Sequence, residues 1–229
     1  MRDPLILPLT LTLTLTGWRH SIHTAIVRLT LAEKGVAVRF TEVDPFRTPD
    51  AAGLSPFGMV QVLRQGDFTL YETGAICRWI DEGFPGPALQ PGDPKARARM
   101  VQAIAIMDAH GFRPMLRDHY GAGVFALSEG EPPDPARAAA GLRAAMPVLA
   151  ALDVIAAEGL VMSGPLTLAD LHLAPMFAGF TRSPDGAAAV AAFPALNNWW
   201  QRQAKRPYVA TCLAPLSDHK SGHAISNGI

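Results

Sequence analysis

Residues 55–76, SPFGMVQVLRQGDFTLYETGAI, decide how this chain is read. Val60, Val62 and Leu63 form a short apolar run. The polar Arg64-Gln65-Gly66-Asp67 that follows contains a glycine, as a hairpin turn requires. Phe68-Thr69-Leu70-Tyr71 is a second β-prone run. Thr73 then stands where a helix N-cap belongs, ahead of Ala75, Ile76, Trp79 and Ile80 at helical spacing. The pattern predicts strand, turn, strand and helix. It delivers an acid, Glu72, and a hydroxyl, Thr73, to a helix N-terminus, a corner able to hold an amine and an anion together.

Upstream, Leu and Thr alternate from Leu9 to Thr16, the period of a half-buried strand. A two-residue slip would look the same, so register is weakly fixed there. Ser21 precedes Ile22, Ala25, Ile26, Leu29 and Ala32, an apolar helical stripe. Lys34-Gly35 ends that helix with a cation and a C′ glycine. Val36, Val38 and Phe40 alternate with Ala37, Arg39 and Thr41, which predicts a second strand. A loop with Pro45, Pro49 and Pro56 then leads back to residues 55–76. The order βαβ followed by ββα is the thioredoxin type, a mixed sheet covered by helices.

Downstream, the composition changes at Gly83-Phe84-Pro85-Gly86-Pro87 and Pro91-Gly92, a linker that suits neither helix nor strand. Beyond it only helices are predicted. Asp93-Pro94 and Asp134-Pro135 are start signals, with proline in the first turn. Gly111 and Pro114 are expected to kink or interrupt the first long helix. Thr167-Leu168-Ala169-Asp170 is a capping box with Asp for Glu. Phe193-Pro194 opens a helix carrying Trp199 and Trp200, Arg206-Pro207 breaks it, and a short helix to Leu213 is the last expected. The fold class is α+β. A first domain at 1–83, a linker at 84–93 and an all-helical domain at 94–229 are the expected divisions.

The composition narrows the function. The chain has 229 residues, 49% of them hydrophobic, and 20 Lys and Arg balance 20 Asp and Glu. A neutral balance argues against a nucleic-acid binder or a membrane-surface protein. Cys77 and Cys212 are too far apart in sequence for a CxxC motif, which fits a reducing, cytoplasmic setting. The apolar start lacks a signal-peptide cleavage pattern, and no run reaches the roughly 18 apolar residues of a membrane span. His20-x-x-His23 has no third ligand nearby, so no metal is expected. Gly121-Ala122-Gly123 lacks the rest of a dinucleotide fingerprint. Cys77 reads as a small buried residue, and Trp199 and Trp200 as core anchors.

Three motifs together resemble the cytosolic glutathione transferases: SPFGMVQVL with FTLYETGAICRWID, then GPLTLADLHLAPMF, then PALNNWWQRQAKRPYV. The resemblance covers roughly residues 9–214. It implies a thioredoxin-like domain that binds glutathione as co-substrate, a helical domain that holds a small hydrophobic electrophile, and a homodimer. Glu72 and Thr73 match the pair that binds the γ-glutamyl end, the carboxylate taking the ammonium while hydroxyl and helix N–H groups take the carboxylate. Val60 matches the residue whose main chain pairs with the cysteinyl part. Ser21 falls where serine-type members place the hydroxyl that faces the glutathione sulfur. There it would stabilise the nucleophilic thiolate. As an ordinary N-cap it would look the same, and Thr16, His20 and His23 compete for the sulfur contact. His110, Arg113 and Tyr120, with Met107, Phe112 and Met115, fall where the family lines its electrophile pocket; core packing is the alternative.

Two positions depart from the family. Gln61 replaces a cis-proline, and a cis bond before a non-proline residue costs about 2.5–4 kcal/mol. A trans Val60–Gln61 bond is therefore expected, or a strained cis one. Met59 replaces a lysine that helps hold the glycine carboxylate; Arg64, Gln61 or Arg39 are the substitutes within reach in sequence. A non-catalytic member, kept as a binding or interaction module, is the alternative function.

Overall fold

The structure is a computed structural model that describes residues 12–45, 48 and 53–211. The strand start expected at residues 9–11 and the helix end expected beyond Thr211 lie outside them. Leu13–Gly17 (β1) leads into the helix Ile22–Glu33 (α1) and then Arg39–Glu42 (β2). Val62–Gln65 (β3), Phe68–Leu70 (β4) and the helix Thr73–Gly83 (α2) follow. The sheet order is β2-β1-β3-β4. β1 runs parallel to β2 and antiparallel to β3, which pairs antiparallel with β4. This is the mixed sheet that the order of elements predicts.

Boundaries differ in three places. Arg64 and Gln65 belong to β3, because Gln65 pairs with Phe68 across a two-residue turn, Gly66-Asp67. Gly66 has φ +57°, the left-handed conformation such a turn needs. Val36 to Val38 precede β2 rather than forming it. Thr73 is not the N-cap of α2. Glu72 is, since its carbonyl accepts the Ile76 N–H at 3.0 Å, and it does so at φ +72° with no capping side-chain bond.

Pro94–Ile106 (α3) opens the helical part, with the Asp93 side chain accepting the Ala96 N–H at 2.8 Å. Gly111 and Pro114 do not end the helix. It continues from Met107 to Phe125 in wider, i→i+5 turns (π1), closing with the Ala126 N–H on the Gly121 carbonyl. Proline has no N–H to give and its ring crowds the preceding turn, and widening relieves both. A short turn, Ala126–Ser128 (α4), precedes the long helix Pro135–Ala157 (α5). Leu168–Phe180 (α6), Pro184–Ala191 (α7), Pro194–Ala204 (α8) and Pro207–Thr211 (α9) complete the described chain.

By length and composition α5 is apolar enough to cross a membrane, although Arg137, Arg143 and Asp153 interrupt its apolar residues. Here it packs on π1 and α8 and buries Ala145, Leu149 and Leu152. The core centres on α6, where Phe177 and Phe180 are fully buried. Asp170 accepts from Thr167 N–H and Oγ1 at 2.8 Å and from Trp199 Nε1 at 2.7 Å, so the predicted capping box also anchors the tryptophan. The linker is tied to the sheet domain through Lys34. Its buried ammonium donates to Asp81 Oδ1, the Asp81 carbonyl and the Pro87 carbonyl, each at 3.0 Å. All three ammonium hydrogens find acceptors, which lets the charge be buried.

Candidate functional site

Four segments converge on one cavity of about 420 Å³, Pro45 after β2 being the smallest contribution. The start of α1 contributes Trp18, His20, Ser21 and His23. The segment before β3 contributes Gly58 to Gln61, and π1 contributes Phe112, Leu116, Arg117, Tyr120, Gly121 and Phe125. The volume suits a small ligand, and the walls are mainly aromatic with a few polar groups.

Ser21 is both a cap and a wall of this cavity. Its Oγ accepts the Thr24 N–H at 3.3 Å, which leaves the hydroxyl proton free to donate elsewhere. α1 points its N-terminus at the same place, adding partial positive charge. His20 and His23 flank it in the cavity; Thr16 does not line it. The His23 ring lies 4.6 Å from that of Phe112. Burial holds His23 well below its ordinary range, at about 4; the nearby His172 and Arg117 push the same way and Asp108 opposes them. His23 is thus a neutral imidazole near pH 7.

Val60 is buried, and among the described residues its main chain makes no hydrogen bond. Ser55 pins the turn before it, donating to the Met59 carbonyl and accepting the Met59 N–H, both at 3.0 Å. The Met59 side chain is exposed. The Val60–Gln61 bond is trans, and Gln61 sits at φ +108°. Its buried carboxamide donates to Thr73 Oγ1 at 3.0 Å. Gln61 therefore joins the cavity to the α2 N-terminus. Thr73 and Glu72 do not border the cavity itself. Glu72 is exposed, and among the described residues its carboxylate has no ion-pair partner. Nothing lies within 4 Å of the place a Gly74 Cβ would take, so the side of α2 at that residue is open.

The remaining expected residues divide. Tyr120 lines the cavity, whereas His110 is exposed outside it. Arg113 also lies outside, its side chain 86% exposed and 3.6 Å from Asp118. Widening explains the split: Phe112, Leu116, Arg117, Gly121 and Phe125 recur every four to five residues, the spacing of i→i+5 turns.

The family model described as glutathione S-transferase, N-terminal domain, matches residues 15–88, and the one described as glutathione S-transferase, C-terminal domain, matches residues 110–207. The chain belongs to the glutathione S-transferase superfamily. Glutathione S-transferase 3 of Zea mays is 28% identical over 213 residues, 89% of this chain and 94% of that protein. A stringent starvation protein A homolog of Pasteurella multocida is 28% identical over 165 residues, 72% of this chain and 73% of its own. The theta class glutathione S-transferase of Xanthomonas axonopodis pv. citri, solved with glutathione bound, is 25% identical with a TM-score of 0.71, covering 90% of this chain and 98% of that one.

For a glutathione transferase-like enzyme the arrangement provides what the chemistry needs. A hydroxyl at a helix N-terminus can meet a sulfur, the main chain of Val60 before β3 borders the same cavity, and aromatic residues line it. Sequence reading missed Arg117, Trp18 and Phe125 as wall residues. Pro114 between Gly111 and Gly121 was the available signal that the helical period changes there. Cys77 is buried, accepts from Thr30 Oγ1 at 3.2 Å, and burial pushes its thiol up to about 12. That thiol is inert at neutral pH. Among the described residues no His, Cys, Asp and Glu cluster is placed to hold a metal.

Proposed function

We propose that this protein conjugates the thiolate of glutathione to a small hydrophobic electrophile. Glu72 receives the γ-glutamyl ammonium, and Thr73 with the first N–H groups of α2 receives its carboxylate. The Val60 main chain pairs with the cysteinyl unit. Gln61 orients the Thr73 hydroxyl. Ser21 donates to the sulfur, and the electrophile lies against Phe112 and Tyr120. In the finer reading the enzyme is a homodimer working in detoxification in the cytoplasm. The observation that carries the proposal is the shared cavity, which brings the Ser21 hydroxyl, Val60 and the π1 wall together.

The test is turnover of glutathione with chlorodinitrobenzene. Ser21→Ala is expected to lower the rate by roughly tenfold or more, the effect of losing one charge-assisted hydrogen bond. Ser21→Asp keeps a helix cap but places a negative charge at the sulfur, so stability should hold while the rate falls. An unchanged rate in both variants moves the sulfur contact to His20 or His23.

A second reading has support of its own. Several relatives bear the name stringent starvation protein A homolog, and none of those names states an activity. Gln61 and Met59 also depart from the family's glutathione contacts. A non-catalytic binding module would neither stay on glutathione-agarose nor turn over the test electrophile.

A further inference from the structure

Arg117 is the cation of the cavity wall, and among the described lining residues there is no carboxylate. Its guanidinium carbon stands 5.8 Å from the centre of the Phe112 ring, whose other neighbour is the His23 ring at 4.6 Å. Imidazole, benzene ring and guanidinium thus follow one another along the wall. Among the described residues Arg117 makes no hydrogen bond or ion pair. The acids of the same helix are engaged elsewhere. Asp108 Oδ1 meets His172 Nε2 at 2.7 Å, and Asp118 Oδ1 accepts from Arg137 at 2.8 Å. At the end of β2 Glu42 accepts from Arg19 at 2.6 Å. The neutral imidazole of His23 adds no negative charge.

From this juxtaposition we propose that the second-substrate pocket selects aromatic electrophiles that carry a carboxylate, which Arg117 receives while the ring packs against Phe112 and Tyr120. The proposal rests on the glutathione transferase reading of the same cavity. A guanidinium presents paired donors that match a carboxylate, and a half-apolar wall strengthens the pairing. The reaction such a substrate undergoes is aromatic substitution. For chlorodinitrobenzoate, the thiolate sulfur attacks the chlorine-bearing carbon, a C–S bond forms, the C–Cl bond breaks, and chloride leaves with the bonding pair. The thiol proton goes to solvent. The product is a glutathionyl dinitrobenzoate.

A carboxylate could also come from the glycine end of glutathione, so the test separates the two sources. Binding of unreactive dinitrobenzoate and its methyl ester is measured by titration calorimetry on the full chain, with and without saturating glutathione. The acid is expected to bind about tenfold tighter than the ester in both conditions. Arg117→Gln should abolish that preference and Arg117→Lys should keep part of it. Raising the salt concentration should weaken the acid and leave the ester unchanged. Equal binding of acid and ester by the native protein would overturn the proposal. So would a preference that survives Arg117→Gln, or one that vanishes when glutathione is bound, which would assign Arg117 to glutathione itself. Turnover of chlorodinitrobenzoate is followed in parallel. Selective binding without turnover would sink the conjugation reading and leave the pocket's selectivity standing.

Discussion

At the head of α1 the Ser21 oxygen accepts the Thr24 N–H while its proton stays available, so capping and sulfur contact use different atoms of one side chain. That is why sequence could not choose between the two roles: both require a hydroxyl at the same place. Gln61 is a different case. Its bond to Thr73 joins positions twelve residues apart and depends on φ +108°, which no residue pattern announces for a glutamine. Glu72, likewise at positive φ, was legible as an acid near the helix start but not as its cap. His23 gives a pH prediction. In the unfolded chain it takes up a proton near its ordinary value of 6.5, but in the folded protein only near about 4. Between those values the unfolded state binds more protons, so stability present above pH 6.5 is lost as pH falls toward 4. The shift corresponds to about 3 kcal/mol at most. Urea denaturation from neutral pH down to pH 4 should show a shallower loss in His23→Gln than in the native protein. Parallel curves would mean that the imidazole is not excluded from protonation.

The element that shapes the cavity is π1, and its geometry follows from a proline that cannot donate and from a close neighbour. α5 crosses π1 at Gly141, where a Cβ would lie 2.6 Å from the Pro114 carbonyl and 2.7 Å from the His119 nitrogen. Those are main-chain atoms and cannot swing away. Gly141→Ala should therefore cost about 2–3 kcal/mol in urea denaturation and raise KM for the electrophile by displacing the wall. A neutral effect on both would show that π1 yields easily. Helices with local start signals were legible: Asp93, Asp134 and Thr167 each cap where the sequence placed them. α8 was legible only as a proline start, because its capping acceptor comes from elsewhere. Asp153 of α5 accepts the Leu196 N–H at 2.9 Å, a contact over 43 residues. α7 was missed, its Ser183-Pro184 start being short and followed by alanines. The hairpin was found, yet its turn was drawn two residues too long, since Arg64 and Gln65 look like turn residues but pair in the strand.

At the scale of the molecule, the sheet order and the helical half follow from the order of elements, which is why the fold was readable from βαβ, ββα and the proline-rich linker. The contacts that tie the halves were not. The Lys34 ammonium reaches the Pro87 carbonyl of the linker across 53 residues, and α1 meets α6 only in the folded chain. The cavity belongs to that assembly, being walled by residues from both halves, so half of its wall escaped sequence reading. The proposed homodimer belongs to this scale too. Phe57 is 68% exposed and its ring meets that of Tyr71 edge-on at 6.0 Å, leaving apolar surface next to Glu72. Sedimentation equilibrium should give twice the chain mass of 24.4 kDa. A single-chain mass at assay concentrations would contradict the dimer without touching the site.

In the proposed function this cavity binds glutathione and holds its sulfur as a thiolate. Difference absorbance of the glutathione-saturated protein, followed across pH, reads that state directly. The bound thiol should ionise at least one unit below the free value of about 8.5 and return toward that value in Ser21→Ala. A bound thiol that titrates like free glutathione, or a protein that takes up no glutathione, would contradict it.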